Sequence, residues 1–205
     1  LIGRVSTVSS GSVLTLIRDT RAAWQASGWS DLLPHQRARV LADTADIIEA
    51  RADVLAELQM LENGKTHRES HGPALNAAGI FRYYAAVCES SEEQMPPPRG
   101  NYITMTVYEP YGVVAALTPW NSPLTMGAQK LAPALAGGNA IVLKAAETTT
   151  LVTLALAQCL VEAGLPEGLV SVISGGGDVG RALVEDPGID LISFTGGTAT
   201  GQSIA

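Results

Sequence analysis

From residue 113 onward, short apolar runs alternate with helical stretches: strand-like segments over 113–118, 140–144, 169–173 and 190–194, and helical ones over 122–136, 149–163 and 178–185. This alternation constrains the fold more than any other feature of the chain. Runs such as Ala140-Ile141-Val142-Leu143 and Leu169-Val170-Ser171-Val172-Ile173 lack the in-out pattern of a half-solvated strand. They suit a parallel sheet with both faces covered, joined by right-handed helical crossovers. The expected class is α/β, with a doubly wound parallel sheet.

The upstream half reads differently. Val13, Leu16, Ile17, Ala23 and Trp24 recur at helical spacing between Gly11 and Gly28. A second amphipathic stretch starts at Pro34 and runs through Val40, Leu41, Ala45, Ile48, Leu55, Leu58 and Leu61 to a C-cap at Asn63-Gly64. A third helix is expected from Ala74 to Glu92. Pro96-Pro97-Pro98 then stops any helix, and reads either as a boundary or as a proline-rich interaction tract. Beyond it, Tyr102, Thr104, Thr106 and Tyr108 alternate with Ile103, Met105 and Val107 before the turn at Glu109-Pro110-Tyr111-Gly112, the pattern of a β-hairpin.

Composition narrows the function classes. With 46% hydrophobic and 16% charged residues among 205, the chain can bury a core. A net charge of −7, with 13 Lys and Arg scattered singly, lacks the clustered cations that a nucleic-acid backbone requires. No apolar run reaches the ~20 residues that span a bilayer, so no membrane partner is expected. Cys88 and Cys159 form neither a metal knuckle nor a disulfide framework, which points to a reducing, cytoplasmic setting. His67 and His71 are four apart but lack the glutamate of a zinc-protease motif, and Gly72-Pro73 is expected to break a helix there, so no metal site is assigned. The start at Leu1, without Met or a signal-peptide pattern, suggests a processed, trimmed or fragmentary N-terminus.

Open α/β sheets bind ligands at the carboxyl ends of their strands, which directs attention to residues 118–121, 144–147, 174–180 and 194–198. Gly175-Gly176-Gly177-Asp178-Val179-Gly180 has the G-x-G-x-x-G spacing between a strand and a helix. No acid closes a strand ~20 positions later as a dinucleotide fingerprint requires, so a tight, closely packed turn is the competing reading. Lys144 and Glu147 could clamp ribose hydroxyls or be a solvated pair. Phe194-Thr195-Gly196-Gly197-Thr198 leads into a helix whose free N–H groups could hold an anion, or is a glycine turn with Thr198 as N-cap. Asn121 is placed to donate to an oxyanion beside Trp120, or to cap the next helix.

Taken in order, Thr118-Pro119-Trp120-Asn121-Ser122-Pro123, Pro133-Ala134-Leu135-Ala136-Gly137-Gly138-Asn139, Lys144-Ala145-Ala146-Glu147-Thr148, Gly164-Leu165-Pro166-Glu167-Gly168 and Phe194-Thr195-Gly196-Gly197 resemble successive signatures of the aldehyde dehydrogenase superfamily. The resemblance extends upstream to Glu62-Asn63-Gly64-Lys65 and covers nearly the whole chain. It implies three regions: an N-terminal helical part over 1–98, an oligomerisation-type hairpin over 99–117, and a Rossmann-like NAD-binding portion over 118–205.

The resemblance also implies a chemistry: a cysteine thiolate forms a thiohemiacetal with an aldehyde, hydride passes to nicotinamide, and a glutamate-activated water hydrolyses the thioester. It assigns oxyanion donation to Asn121 and cofactor contacts to Thr118, Pro119, Trp120, Lys144, Glu147, Gly177, Phe194, Gly197 and Thr198. Lys144 and Glu147 would hold the adenine ribose, where a carboxylate disfavours a 2′-phosphate, so NAD is preferred over NADP. Gly197 and Thr198 would lie by the pyrophosphate. Ser122, Met126 and Gln129, with Lys130 beside them, follow Asn121 on one helix as substrate-pocket residues, and their small or polar side chains suggest a roomier or more polar aldehyde site.

The family's glutamate and cysteine motifs are expected downstream of Ala205, and Cys88 and Cys159 fall in apolar helical sequence. The expectation is therefore the cofactor-binding portion of an NAD-dependent enzyme that forms homodimers or homotetramers when intact. The rival readings are a non-catalytic nucleotide-binding or assembly subunit, or a fold completed by a separate polypeptide.

Overall fold

The computed structural model describes residues 2–205. Four helices come first: α1 (Ser10–Ser27), α2 (Pro34–Ala50), α3 (Ala52–Asn63) and α4 (His67–Ser90). The remainder alternates as expected: β1 (Val113–Leu117), α5 (Pro123–Ala136), β2 (Ala140–Lys144), α6 (Thr150–Glu162), β3 (Val170–Ile173), α7 (Gly177–Val184), β4 (Leu191–Phe194) and α8 (Thr198–Ile204). All strand pairs are parallel, in the order β3-β2-β1-β4. The chain winds outward from β1 through β2 to β3, then returns past β1 to place β4 on its other side.

The sheet is covered on both faces, which explains its unalternated apolar strands. Val114, Ala116, Ile141 and Leu143 join the larger core with α2 to α6, while Val113, Ala115 and Val142 join the smaller one with Val13 and Ile17 of α1 and Val179 and Leu183 of α7. Burying one Ile or Leu side chain contributes roughly 1.5–3 kcal/mol, so these two layers hold the strand register against slippage.

Helix α5 is fixed from its C-terminal end. The last carbonyls of a helix have no partner within it, and here Trp29 Nε1 donates to Leu135 O at 3.1 Å, Arg37 Nε to Ala136 O at 3.1 Å and, just beyond, Trp24 Nε1 to Gly138 O at 2.8 Å. The N-terminus of α6 is anchored in the opposite sense: both carboxylate oxygens of Glu62 accept from Leu151 N and Val152 N, each at 2.8 Å.

Three expectations are corrected. The stretch from Pro34 to Asn63 is two helices, broken at Arg51 (φ −108°, ψ 13°). The helix expected from Ala74 begins seven residues earlier, at His67, and carries Pro73 inside it. A capping box outweighs the proline: Thr66 Oγ1 accepts from Glu69 N at 3.3 Å and Glu69 Oε2 accepts from Thr66 N at 3.0 Å. The hairpin expected within 99–117 does not form in this chain. Both edges of β1 are already hydrogen-bonded, to β2 and β4, so residues 102–108 have no free edge of β1 to join. Arg99 and Tyr102 make an isolated bridge, Thr106 N donates to Gln94 O at 2.8 Å, and Tyr102, Ile103, Met105, Val107 and Tyr108 are exposed.

Entry into β1 depends on Gly112. Its φ of +123° is costly for any residue with a Cβ, and a Cβ there would collide with the Asp190 carboxylate. That carboxylate accepts from Val113 N at 2.7 Å and from Arg21 Nη2 at 2.5 Å, clamping β1, β4 and α1 together. Gly112→Ala is expected to lower unfolding free energy by roughly 1–3 kcal/mol in urea titration. An unchanged midpoint would show that the loop relaxes freely.

Candidate functional site

The strand register brings the predicted site segments to one sheet edge. Leu117 pairs with both Lys144 and Phe194, and Lys144 pairs with Ile173. The pairing extends one residue further: Thr118 N donates to Lys144 O at 3.2 Å, Ala145 N to Ile173 O at 3.0 Å and Thr195 N to Leu117 O at 3.2 Å. The turns after all four strands therefore leave from the same edge. Because chain order reverses around β1, the turn after β1 and the turn after β4 flank the topological switch point, where an open α/β sheet has its binding crevice.

At the end of β1, Thr118 is buried and its Oγ1 has no hydrogen-bond partner among the described residues, which leaves a polar atom available to a ligand or a water. Pro119 is half-buried, while Trp120 and Asn121 are exposed. Asn121 does not cap the following helix. Ser122 occupies the N-cap position, without a side-chain cap bond, and Pro123 starts α5. The Asn121 amide is thus free of a local structural duty and stands just before the N-cap of α5.

At the end of β2, Lys144 is buried and Glu147 is exposed on a single 3-10 turn, Glu147–Thr149. No ion pair joins them among the described residues, so the solvated-pair reading does not hold. The Lys144 stem runs beside Gly180: a Cβ there would sit in ordinary contact, 3.5 Å from Cδ and 3.6 Å from Cε. Its ammonium makes one long contact, 3.5 Å to Ala145 O, leaving donors available.

The glycine-rich turn after β3 divides its work. Gly180 gives close helix-to-strand packing, whereas Gly177, the first residue of α7, is exposed with nothing within 4 Å of an added Cβ. After β4, Phe194 is half-buried and its ring lies against Gly196 and Gly201. Gly197, rather than Thr198, is the N-cap residue of α8, and Thr198 is its first helical position. Both are exposed.

Along α5, Ser122, Met126 and Gln129 follow one stripe at helical spacing. Ser122 and Met126 are half-buried; of the three only Gln129, which is exposed, lines a cavity of about 520 Å³, with Asn76, Gly79, Ile80, Tyr83 and Tyr84 of α4. The α4 residues escape a search for strand-end motifs. Their signal in the sequence is the i, i+3, i+4, i+7, i+8 spacing of a stripe beside the buried face that contains Ala74, Ala77, Ala78 and Phe81.

Lys130, next to Gln129, is 7% exposed and donates from Nζ to Ser193 Oγ on β4 at 2.9 Å. Burial draws its ammonium below the usual lysine range. Cys88 and Cys159 are free, buried thiols, and burial pushes the Cys159 thiol up. Neither is poised as a nucleophile.

Comparison with known proteins agrees with this arrangement. Residues 1–205 match the model of the aldehyde dehydrogenase family. An aldehyde dehydrogenase of Aspergillus niger is 40% identical over 191 residues, covering 93% of this chain and 38% of the relative. The mitochondrial aldehyde dehydrogenase family 2 member B4 of Arabidopsis thaliana is 37% identical, covering 100% and 38%. The crystal structure of betaine aldehyde dehydrogenase from Staphylococcus aureus in complex with NAD+ superposes with a TM-score of 0.93 at 34% identity, covering 98% of this chain and 40% of that one. The chain spans about two fifths of the length of these proteins.

Lys130 gives a signed test. A buried base with a lowered pKa is penalised while charged, so the penalty is fully present below its folded-state pKa and is relieved as pH rises through it toward the ordinary lysine value. Lys130→Met is expected to raise the urea midpoint at pH 7, with the gain shrinking at higher pH. A gain independent of pH would place its origin in packing instead.

Proposed function

The chain belongs to the aldehyde dehydrogenase family, and from that premise we propose that it forms the cofactor-binding portion of an enzyme that oxidises an aldehyde to a carboxylic acid with NAD. The observation that carries the proposal is the shared sheet edge at which Thr118, Lys144 and Phe194 end adjacent strands, with Asn121 and Gly197 in the turns that flank the switch point.

The residues present fit a dinucleotide. The orphaned Thr118 hydroxyl and the buried Lys144 ammonium offer hydrogen bonds, and the open backbone at Gly177 and Gly197 allows close approach. Lys144 and Glu147 would hold the adenine ribose, Gly197 and Thr198 the pyrophosphate, and Pro119, Trp120 and Phe194 would flank the rest, with Gly177 at the adenosine end. The exposed Glu147 carboxylate repels a 2′-phosphate, which favours NAD over NADP. Held by these residues, NAD would supply the hydride acceptor for the oxidation.

The chain's own contribution to the reaction is placement. Asn121 donates from its amide to the oxygen of the reacting carbonyl, and the stripe Ser122, Met126 and Gln129 guides the rest of the aldehyde. One such donor is typically worth about 2.7–4 kcal/mol of transition-state stabilisation. The nucleophile is not among these residues, because both thiols are buried. Residues 1–205 alone would therefore bind nucleotide without turnover, which is what the reading as a non-catalytic subunit also requires.

Exposed Tyr102, Ile103, Met105, Val107 and Tyr108 support assembly into homo-oligomers through this segment, which the mass in solution tests. The free cysteines support a reducing, cytoplasmic setting.

The test uses protein expressed from the complete reading frame beside the 205-residue chain. The former is expected to form NADH with an aldehyde and the latter to form none. Asn121→Ala should lower kcat by about 100-fold or more with NAD affinity almost unchanged, and Glu147→Gln should narrow the preference for NAD over NADP. Equal turnover in Asn121→Ala and parent would refute its role, and NADH formation by the 205-residue chain would refute the division of labour.

A further inference from the structure

We propose that the groove between α4 and α5 selects uncharged aldehydes of about five to eight carbons that carry a distal hydroxyl or carboxamide, with Asn76 and Gln129 as specificity-determining residues. This rests on the reading of Asn121 as the amide that meets the carbonyl.

The groove is open to solvent on one side and offers about 520 Å³, within the range of small-molecule sites. Its polar lining is two carboxamides, Asn76 and Gln129, and two phenols, Tyr83 and Tyr84; Gly79 and Ile80 complete it. None of the six carries a charge at neutral pH. A carboxamide both donates and accepts, so it pairs with a hydroxyl or an amide in either sense. An ammonium or carboxylate tail would lose hydration there without a counter-charge.

Gly79 supplies the room. It lies within helix α4, and an added Cβ would meet nothing within 4 Å, so the space beside it is open to a ligand.

Substrate length follows from the helix. Gln129 lies seven residues beyond Ser122 on the same stripe, roughly 10 Å along α5 at ~1.5 Å per residue. An extended chain advances about 1.2 Å per bond. Allowing for the length of the two carboxamide side chains at its ends, a span of this size leaves about five to eight atoms for the substrate.

The experiment compares kcat/KM for 6-hydroxyhexanal and hexanal in protein expressed from the complete reading frame. Three proteins are assayed: the parent, the double variant Asn76→Leu/Gln129→Leu, and Gly79→Leu, each checked for native helicity by circular dichroism. The parent is expected to favour the hydroxylated substrate by about ten-fold or more, and the double variant to bring that ratio to about one. Gly79→Leu, at a position with room for a side chain, should lower kcat/KM for 6-hydroxyhexanal relative to acetaldehyde by about ten-fold.

A parent that prefers hexanal or treats both alike overturns the selectivity while leaving aldehyde oxidation intact, as does a ratio unmoved in both variants. Absence of NADH formation with every aldehyde overturns the underlying reading as well.

Discussion

The parallel register of four strands is the constraint from which the site follows. With Leu117 opposite both Lys144 and Phe194, and Lys144 opposite Ile173, every strand ends at the same level. Residues widely separated in sequence then share one edge without any dedicated tie between their side chains. The register is itself set by burial on both faces, since a one-residue slip would exchange the two sets of side chains between two differently shaped cores. Winding order supplies the rest. The step back from β3 to β4 puts the turn at 118–121 and that at 195–198 on either side of the switch point, where an open α/β sheet has its binding crevice.

A binding edge also needs a rigid platform, and α5 provides it. Its C-terminal carbonyls are satisfied by Trp29 and Arg37, with Trp24 closing on Gly138, and its far side is tied to β4 through Lys130 and Ser193. The three bonds made by the tryptophans and Arg37 lie at the opposite end of the helix from Asn121, and the Lys130 bond lies midway along it. The amide can therefore remain exposed and locally unpartnered while its backbone is positioned by contacts that never touch the site. This division explains why the helical half of the chain matters to chemistry at all: α1 and α2 hold the helix that presents the amide, and α4 forms the second wall of the groove beside it.

How much of this is legible in the sequence varies with the kind of physics involved. Strand limits are legible to within one residue in most cases, because doubly buried strands leave continuous apolar runs such as Ala140 to Leu143. The break at Arg51 is not, since neither glycine nor proline marks it and the apolar stripe crosses it unbroken. The start of α4 shows two local signals in conflict, a Thr66-to-Glu69 capping box and Pro73. The cap prevails because Ser70, Ala74 and Ala77 are buried on the face that follows. The segment 102–108 has the composition of a strand but forms none, because composition cannot report that both edges of β1 are taken. The strand-end residues Asn121, Lys144 and Glu147 are legible from their position in the βα repeat. Asn76 and Tyr83 are not, because a groove wall is defined by what packs around it.

The glycine-rich turn shows how a familiar spacing can act through packing. Gly180 lies against the aliphatic stem of Lys144 and near Leu117 Cδ2, at 3.7 Å from where its Cβ would be. A methyl there would sit in ordinary contact with the stem, and only a side chain longer than alanine's would press on it. The ammonium beside Gly180 is buried yet has only one weak acceptor among the described residues, so at least two of its three donors are left for other oxygens. The third glycine of the motif therefore serves the ligand-binding edge indirectly, by leaving room for the Lys144 stem. Only Gly177, exposed and sterically open, is available for direct approach. The same six residues thus combine a packing device and a contact point, and burial rather than spacing separates the two.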